Sequence, residues 1–257
     1  MAEITLEDNI AIFAFDNGFG NTITLDVLRK LRETVKKVNE TPEIKGLILT
    51  GAGKLFSSGF DLPMFLGFKD HSEVVAFFEE EEEILLELFT CDKPVISAIN
   101  GHCVAAGVIL AMASDYRVVG NHPKIKLGMS EIKIGLPLSV CQSRVFRFGI
   151  DSDRRFRDIM CFGEFYDPTR AVEMGLADEV VEIAEVMPRA KELVKSWIDT
   201  PGRPFIPIKR MQRSEVALSI RRGIKEENWR ENLRCFFEKD VRNALFAVLE
   251  MMKLQAK

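Results

Sequence analysis

Short apolar runs and one helical repeat occupy the first fifty residues of the chain. Residues 4–6 and 10–15 are apolar segments joined by a Glu-Asp-Asn sequence, which is typical of a β-hairpin. A helix that ends near Asn39 is predicted by apolar residues that recur every three or four positions, at Leu25, Leu28, Leu31, Val35 and Val38. The run Lys-Gly-Leu-Ile-Leu-Thr at residues 45–50 indicates a buried strand that ends at a glycine-rich turn.

The same order of elements appears again further along the chain. A helical pattern at residues 72–90 precedes a second buried strand at residues 93–100. A second glycine-rich turn at residues 101–107 leads into a helix of about residues 108–113, and residues 115–119 return as a strand. The order strand, glycine-rich turn, helix, strand occurs twice, starting at Lys45 and at Lys93. We therefore predict an α/β fold of repeated ββα units with a partly parallel sheet.

The second half of the chain is mainly helical by the same criterion. Asp167 and Pro168 are typical of a helix start, and Gly175 is typical of its end. Helical spacing continues from about Glu185, breaks at residues 200–204 and returns in a final segment, residues 244–252, whose apolar residues need a partner to cover them. We therefore expect a core at residues 1–195 that holds the ligand site, followed by a helical region at residues 196–257.

Composition narrows the class of protein. A chain of 257 residues can bury a full core, and 35 basic against 39 acidic residues give a net charge of −4, which argues against a nucleic-acid surface. The five cysteines form no CxxC pair and the three histidines have no ligand spacing, so we expect a reduced compartment and no metal site. With no apolar run near the ~20 residues of a membrane span and no targeting signal, we expect a cytoplasmic protein without a membrane partner.

Five consecutive glutamates, Glu79 to Glu83, lie in the helical pattern before the second strand. Consecutive residues of a helix point in different directions around its axis and cannot converge on one metal ion. We therefore interpret the acidic run as a solvated helix face.

The two glycine-rich turns are the first candidates for chemistry. Neither matches a dinucleotide-binding or P-loop motif, and each alone could simply allow tight packing of a strand against a helix. Two such turns, each after a buried strand, could instead direct one backbone N–H each at the same oxyanion. The sequence pattern leaves both interpretations open.

Four segments together carry a resemblance to a known family. They are Leu49 to Leu62 (LTGAGKLFSSGFDL), Lys93 to Gly107 (KPVISAINGHCVAAG) with Asp115-Tyr116-Arg117, Leu127 to Pro137 (LGMSEIKIGLP), and Ala171 to Ala177 (AVEMGLA). In order and spacing they resemble the signatures of the crotonase, or enoyl-CoA hydratase/isomerase, superfamily over roughly residues 1–185.

The resemblance implies a spiral of ββα repeats that binds acyl-coenzyme A thioesters and forms homotrimers or pairs of trimers through its C-terminal region. It implies no cofactor, since coenzyme A is part of the substrate. It places the oxyanion hole on the backbone N–H groups of Ser58 and Ala106, where charge develops on the thioester oxygen. The remaining substrate contacts implied by the resemblance are Asn21, Thr22, Ile23, Gly59, Phe60, Asp61, Ile109 and Ser130.

The catalytic carboxylates distinguish the reactions of this superfamily. Hydratases use two glutamates around one water, and the first of those positions is Ile109 in this chain, while the second is Glu131. One carboxylate can take a proton from C2 of a 3-enoyl thioester and return it to C4, with no water needed. Isoleucine in place of the other carboxylate excludes water and desolvates Glu131. The pattern is similar to the Δ3,Δ2-enoyl-CoA isomerases, and we expect that activity.

Other candidates and functions remain. Asp61 resembles a structural turn acid, Asp115 and Arg117 are interpreted as a structural pair, and His102 is a weak candidate for a direct role. Alternative functions are another acyl-CoA reaction, namely hydration, thioester hydrolysis or decarboxylation, and a non-catalytic acyl-CoA-binding scaffold.

Overall fold

The computed structural model describes residues 3–255 and contains three successive ββα units. In each unit two strands precede a helix, and in the second unit a short extra helix comes before the main one. The units are β1 (Glu3–Glu7), β2 (Ile10–Phe15) and α1 (Leu25–Glu40); β3 (Gly46–Gly51), β4 (Leu55–Ser57), α2 (Leu62–Gly67) and α3 (His71–Phe89); and β5 (Val95–Ile99), β6 (His102–Val104) and α4 (Ala106–Met112). The predicted ββα repeat is confirmed.

The remaining elements are mostly helical, as the sequence predicts. Strands β7 (Tyr116–Gly120), β8 (Leu127–Gly128), β9 (Phe165–Tyr166) and β10 (Glu179–Val181) are short. The helices are α5 (Val140–Gly149), α6 (Asp153–Phe162), α7 (Pro168–Met174), α8 (Val186–Ile198), α9 (Phe205–Glu226), α10 (Trp229–Asn232) and α11 (Lys239–Gln255). One-turn 3₁₀ helices lie at Phe19–Asn21, Glu131–Ile134, Ile183–Glu185 and Leu233–Phe237.

The strands form two sheets, which give the spiral its two walls. The larger sheet has the order β1-β2-β3-β5-β7-β10, antiparallel only between β1 and β2 and otherwise parallel. The smaller sheet has the order β4-β6-β8-β9, with β4, β6 and β8 parallel. Because β4 pairs with β6, the segments that follow these two strands, residues 58–61 and 105–107, lie side by side.

Local sequence signals explain where the main elements begin and end. Thr24 caps α1 with its side chain, and the α1 face predicted by the apolar repeat is buried. Asp167 caps α7, Pro168 is its first residue, and Gly175 ends it in the left-handed conformation (φ 84°). The β1–β2 hairpin turns through Asp8 and Asn9, both at positive φ, as the Glu-Asp-Asn sequence predicts.

One hydrophobic core extends across the boundary predicted at residues 195 and 196. The main buried cluster includes Phe13 and Leu47 of the sheet as well as Ile220 of α9, Trp229 and Phe236. The final helix buries Val241 and Leu245, while Phe246 and Leu254 remain exposed. The C-terminal helices thus complete the core, and the self-association predicted for residues 196–257 stays a prediction. None of the helices described has both the length and the apolar character needed to cross a bilayer.

The ion pairs around Asp115 correct one sequence-based interpretation. Asp115 and Arg117 are not partners, because Asp115 accepts from Lys209 Nζ (2.6 Å) and pairs with Arg213 (2.7 Å), both on α9. Arg117 pairs instead with Asp178 at 2.8 Å. Asp115 precedes β7 and pairs with α9, whereas Arg117 lies within β7 and pairs with Asp178, just before β10. The buried Asp115 network fixes α9 on the spiral.

We expect Asp115→Asn to lower the free energy of unfolding by about 3–5 kcal/mol, because Lys209 and Arg213 would then be buried without their counter-charge. Urea denaturation measures the change. The matched control is Asp92→Asn, which removes a more exposed pair with Arg210 of the same helix and should cost less than about 1 kcal/mol. Equal losses in the two variants would contradict this role for Asp115.

Candidate active site

The segment after β4, residues 57–61, is called the first turn from here on, and it is in direct contact with the second turn, residues 105–107. A Cβ atom added to Gly59 would lie 2.7 Å from Ala105 Cβ and 3.3 Å from Ala106 N, and one added to Gly107 would lie 2.9 Å from Ser57 Cβ. Real Cβ atoms do not approach this closely, so both positions require glycine. The two turns thus lie against each other, which is the arrangement needed for each to direct one N–H at a common atom.

The second turn leaves the backbone N–H of Ala106 without a partner. Ala105 has φ 53° and ψ −131°, a conformation that residues with side chains rarely adopt. Ala106 is the first residue of α4, and a helix cannot satisfy its own first N–H groups. Among the described residues no side chain caps this helix end. Ala106 can therefore donate to a ligand, as the sequence predicts.

The first turn contradicts the prediction for Ser58. Its backbone N–H already donates to the carbonyl oxygen of Gly20 at 2.9 Å, and its hydroxyl donates to the same oxygen at 2.8 Å. A group committed to a protein acceptor is not free for an oxyanion. The prediction that Ser58 is an oxyanion donor is therefore wrong. Its two hydrogen bonds instead hold Gly20 against the first turn.

Phe60 supplies the N–H that Ser58 cannot. Ile23 N–H donates to Gly59 O (2.9 Å) and Asp61 N–H donates to Ile23 O (3.1 Å), which is the pattern of a parallel bridge between Ile23 and Phe60. In such a bridge the intervening residue directs its own N–H to the opposite side. Within the described part of the chain the Phe60 N–H has no hydrogen-bond partner. The pair of free donors is thus Phe60 and Ala106.

A cavity of about 530 Å³ opens beside these turns and is mostly apolar. Five of the predicted site residues line it or border it directly, while the rest of the wall was not predicted from the sequence. The predicted lining residues are Ser58, Phe60, Ile109, Ser130 and Glu131. Its size and apolar walls suit a hydrocarbon chain of modest length.

Glu131 begins a one-turn 3₁₀ helix directly after β8 and Ser130. The link to the second turn is short, since Ala105 N–H donates to Gly128 O of β8 at 3.0 Å. The carboxyl oxygen Oε2 of Glu131 is buried and has no hydrogen-bond partner among the described residues. Burial raises the pKa of Glu131 to about 7, because the charged form loses its hydration. A carboxyl with this pKa can both accept and donate a proton near neutral pH.

Ile109 lies on the first turn of α4 and is 2 % exposed. It lines the same cavity as Glu131, three residues after Ala106. The structure therefore places an apolar side chain where the sequence predicts one, and Ile109 adds no second carboxylate to the cavity.

The side chains of the substrate contacts predicted at residues 21–23 and at Asp61 bind other parts of the protein. The Asn21 amide donates to Ala52 O (3.0 Å) and Leu55 O (2.7 Å), the Thr22 hydroxyl donates to Asp61 Oδ2 (3.0 Å), and Ile23 is fully buried. None of these three side chains is among the cavity-lining residues described. Asp61 caps α2 through Met64 N–H at 2.8 Å, which confirms its prediction as a turn acid.

The acidic run of α3 is not a solvated face throughout. Glu81 and Glu82 are 1 % and 0 % exposed, whereas Glu79 is exposed. Glu82 accepts hydrogen bonds from the Ser139 hydroxyl and from Cys141 N–H (2.9 Å), so it caps the start of α5. Burial raises its pKa to about 7. The prediction of solvation is wrong for these two residues, because α5 packs over that side of α3.

Sequence reasoning missed the far wall of the cavity. It consists of Phe65 and Phe78 from the second unit, Phe236, and Met251 and Met252 from the last helix. Phe78 could have been suggested by its helical spacing, but no local signal brings Phe236 or the methionines to this site. His102 also lines the cavity, and its Nδ1 accepts from Lys126 N–H at 3.1 Å.

Comparison with known proteins places this geometry in a family. The family model of enoyl-CoA hydratase/isomerase matches residues 5–255, and the chain belongs to that family. It is 28 % identical over 249 residues to "Enoyl-CoA delta isomerase 1, mitochondrial" of Mus musculus, covering 95 % of this chain and 84 % of the relative. The Homo sapiens protein of the same name is 26 % identical over 246 residues, with 95 % and 80 % covered.

Solved structures agree on the fold. The crystal structure of human mitochondrial delta3-delta2-enoyl-CoA isomerase superposes with a TM-score of 0.90 at 22 % identity, covering 100 % of this chain and 99 % of the other. A probable enoyl-CoA hydratase of Mycobacterium tuberculosis gives a TM-score of 0.78 at 22 % identity, with 87 % and 92 % covered. The crotonase fold predicted from the sequence is confirmed.

We expect Glu131→Gln to stabilise the protein at pH 8 and to have little effect at pH 4.5. The folded-state pKa of Glu131 is about 7 against an ordinary 4.5, so the wild type loses stability as pH rises between these values. A shift of this size corresponds to about 3 kcal/mol at pH 8. Urea denaturation of both proteins across pH 4.5–8 measures the difference. Glu164→Gln, at an exposed residue paired with Lys133, is the control, and the idea fails if its stability difference grows with pH in the same way.

Proposed function

We propose that this protein is an acyl-CoA isomerase that moves the double bond of a 3-enoyl thioester from C3–C4 to C2–C3. The observation that carries the proposal is the Glu131 carboxyl: among the described residues it is the only carboxyl that lines this apolar cavity, and its Oε2 is buried with no hydrogen-bond partner there. Membership of the enoyl-CoA hydratase/isomerase family and the similarity to enoyl-CoA delta isomerases support it.

The thioester oxygen would accept hydrogen bonds from the N–H groups of Phe60 and Ala106. Both donors are fixed by the fold, one by the bridge to Ile23 and the other by the conformation of Ala105. When a proton leaves C2, negative charge moves onto this oxygen, and two fixed donors stabilise it without reorganisation. Loss of one such donor typically costs about 10²–10³ in rate.

Glu131 would perform both proton transfers. Its carboxylate removes a proton from C2, the electrons of the broken C–H bond form the dienolate, and the C3–C4 double bond shifts to C2–C3 as C4 takes the same proton back. The base is regenerated, and water takes no part. A pKa of about 7 makes both transfers feasible for one carboxyl.

Ile109 would select isomerisation over hydration. Addition of water needs a second group to hold and activate the nucleophile, and the first turn of α4 offers only an apolar side chain there. An apolar wall also keeps Glu131 desolvated.

Assembly, location and coenzyme A contacts remain proposals from the resemblance. We propose a homotrimer or a dimer of trimers formed by residues 196–257, in the cytoplasm, with no metal and no cofactor other than the coenzyme A of the substrate. The contacts of coenzyme A along residues 21–23 would be made by backbone atoms, since the Asn21 and Thr22 side chains are engaged within the protein.

The decisive assay compares two substrates. The wild type should convert 3-enoyl-CoA to 2-enoyl-CoA and should hydrate trans-2-enoyl-CoA negligibly. Glu131→Gln, which keeps the side-chain shape, should lower kcat for isomerisation by at least ~10³-fold. Rapid hydration by the wild type, or thioester hydrolysis or decarboxylation of a suitable ester in place of isomerisation, would contradict the proposal. Tight binding of both thioesters with no turnover would indicate a scaffold.

We expect kcat/KM for isomerisation to rise with pH and to level off above about pH 7. Glu131 must be ionised to accept the C2 proton, and burial raises its pKa to about 7. Initial rates between pH 4 and 9 give the profile. A half-maximal rate near pH 4.5 would mean that the acting carboxyl is solvated.

We expect Ile109→Glu to introduce measurable hydration of 2-enoyl-CoA and to lower the isomerase rate. The new carboxylate would stand one helical turn from Ala106 and could hold a water beside Glu131. The hydration product is measured by chromatography. Ile109→Gln is the matched control, because it adds polarity without a base and should produce no hydration.

A further inference from the structure

His102 and Lys126 are two basic residues in the wall of a cavity that is otherwise mostly apolar. His102 is the first residue of β6, and Lys126 directly precedes β8, the strand that pairs with β6 in parallel. Since Cys103 is in register with Leu127, His102 and Lys126 are neighbours across this pair of strands. The mechanism proposed above uses neither of them.

The imidazole of His102 is held in one orientation and has a free donor. Its Nδ1 accepts a hydrogen bond from the backbone N–H of Lys126 at 3.1 Å, so the ring proton is on Nε2. Nε2 has no hydrogen-bond partner among the described residues, and the side chain is exposed. In the same part of the chain no ion pair includes Lys126. Both groups are therefore accessible to a ligand.

The charge at this end of the cavity is positive, although the whole chain has a net charge of −4. Glu131 is the only acid among the described residues that line the cavity. The pKa of His102 is lowered first by burial and then by the charge of Lys126, and no acidic side chain acts on it. An anion would thus meet an ammonium group and an imidazole N–H without a competing carboxylate.

The same end is the mouth of the cavity, because His102 is exposed whereas Phe65 and Phe78 of the far wall are 3 % and 4 % exposed. His102 and Ala106 flank β6, whose three residues span roughly 10 Å. In a coenzyme A thioester the pantetheine arm between the thioester and the first phosphate is flexible and longer than this distance. A thioester bound at Ala106 can therefore bring a phosphate to His102.

We propose that His102 and Lys126 bind a phosphate group of coenzyme A at the mouth of the cavity. The Nε2–H of His102 and the ammonium group of Lys126 donate to phosphate oxygens, and Lys126 supplies the opposite charge. The assignment rests on the proposed function and adds the residues that select a phosphate-bearing thioester over a pantetheine ester. The phosphate belongs to either the diphosphate or the 3′-phosphate of coenzyme A, and the two sources give different results in the test.

The test compares 3-enoyl esters of coenzyme A, of 3′-dephospho-coenzyme A and of pantetheine, which has no phosphate. Lys126→Met and His102→Leu should each lower the ratio of kcat/KM for the coenzyme A ester to that for the pantetheine ester by ~10-fold, because each removes a charge-assisted hydrogen bond. Lys126→Arg keeps the charge and should retain most of the ratio. If the 3′-dephospho ester is affected like the coenzyme A ester, the diphosphate is bound; if it is affected like the pantetheine ester, the 3′-phosphate is bound.

The chain contains a matched control pair in His122 and Lys124. The Nδ1 of His122 accepts from the backbone N–H of Lys124 at 3.2 Å, as His102 does from Lys126. Both control residues are exposed, and neither is among the cavity-lining residues described. His122→Leu and Lys124→Met should keep the wild-type ratio. Equal losses in the two pairs would overturn the assignment.

The outcome separates the two proposals. If the esters are isomerised but Lys126→Met and His102→Leu keep the wild-type ratio, the phosphate assignment is overturned and the isomerase proposal stands. If no ester is isomerised, calorimetry with free coenzyme A and with pantetheine decides the phosphate assignment alone. Tighter binding of coenzyme A than of pantetheine, weakened in Lys126→Met, supports it, and equal binding of coenzyme A by the variant and the wild type overturns it.

Discussion

The close approach of the two glycine-rich turns is the constraint on which the rest of the site depends. A Cβ atom at Gly51 would lie 1.9 Å from Leu55 O, and one at Gly101 would lie 2.1 Å from Lys54 O. Gly51 lets the chain fold back onto Leu55, whereas Gly101, Gly59 and Gly107 let the two segments approach each other. This arrangement places Phe60 and Ala106, whose N–H groups have no hydrogen-bond partner among the described residues, on adjacent segments. The smaller sheet maintains it, because β4 and β6 are paired in parallel.

Burial of Glu131 follows from the same framework. The N–H of Ala105 in the second turn donates a hydrogen bond to the carbonyl oxygen of Gly128. Glu131 follows three residues after Gly128 and lines the same apolar cavity. The free energy lost by burying a carboxyl appears as a raised pKa, and that raised pKa is what suits it to accept and return a proton. Stability and reactivity therefore oppose each other at this residue, as is common at sites of proton transfer.

Much of the fold was predictable from the sequence because its signals are local. The hairpin at Asp8 and Asn9, the apolar repeat of α1 and the Asp-Pro start of α7 each depend on nearby residues alone. The position of Glu131 and of Ile109 was also predictable, since both lie at fixed distances from motifs. These predictions concern where a residue lies, whereas the chemical roles remain for experiment.

The errors share a physical cause, which is that tertiary contacts cannot be read from one segment. The sequence pattern assigns Ser58 as a donor, but the carbonyl oxygen of Gly20, 38 residues away in sequence, accepts its N–H. The helical pattern alone predicts that Glu81 and Glu82 are solvated, but α5 covers both side chains. The partners of Asp115 lie on α9, about 95 residues further along the chain. The aromatic wall at Phe236 likewise depends on how the C-terminal helices return to the cavity.

We propose that one carboxyl, Glu131, carries a proton from C2 to C4 inside a cavity that excludes water. The most direct test uses 3-enoyl-CoA labelled with deuterium at C2, with the product analysed by mass spectrometry and NMR after a single turnover in ordinary water. If Glu131 returns the proton that it removes, a substantial fraction of the deuterium lost from C2 should appear at C4. A product whose C4 hydrogen comes entirely from water would contradict it.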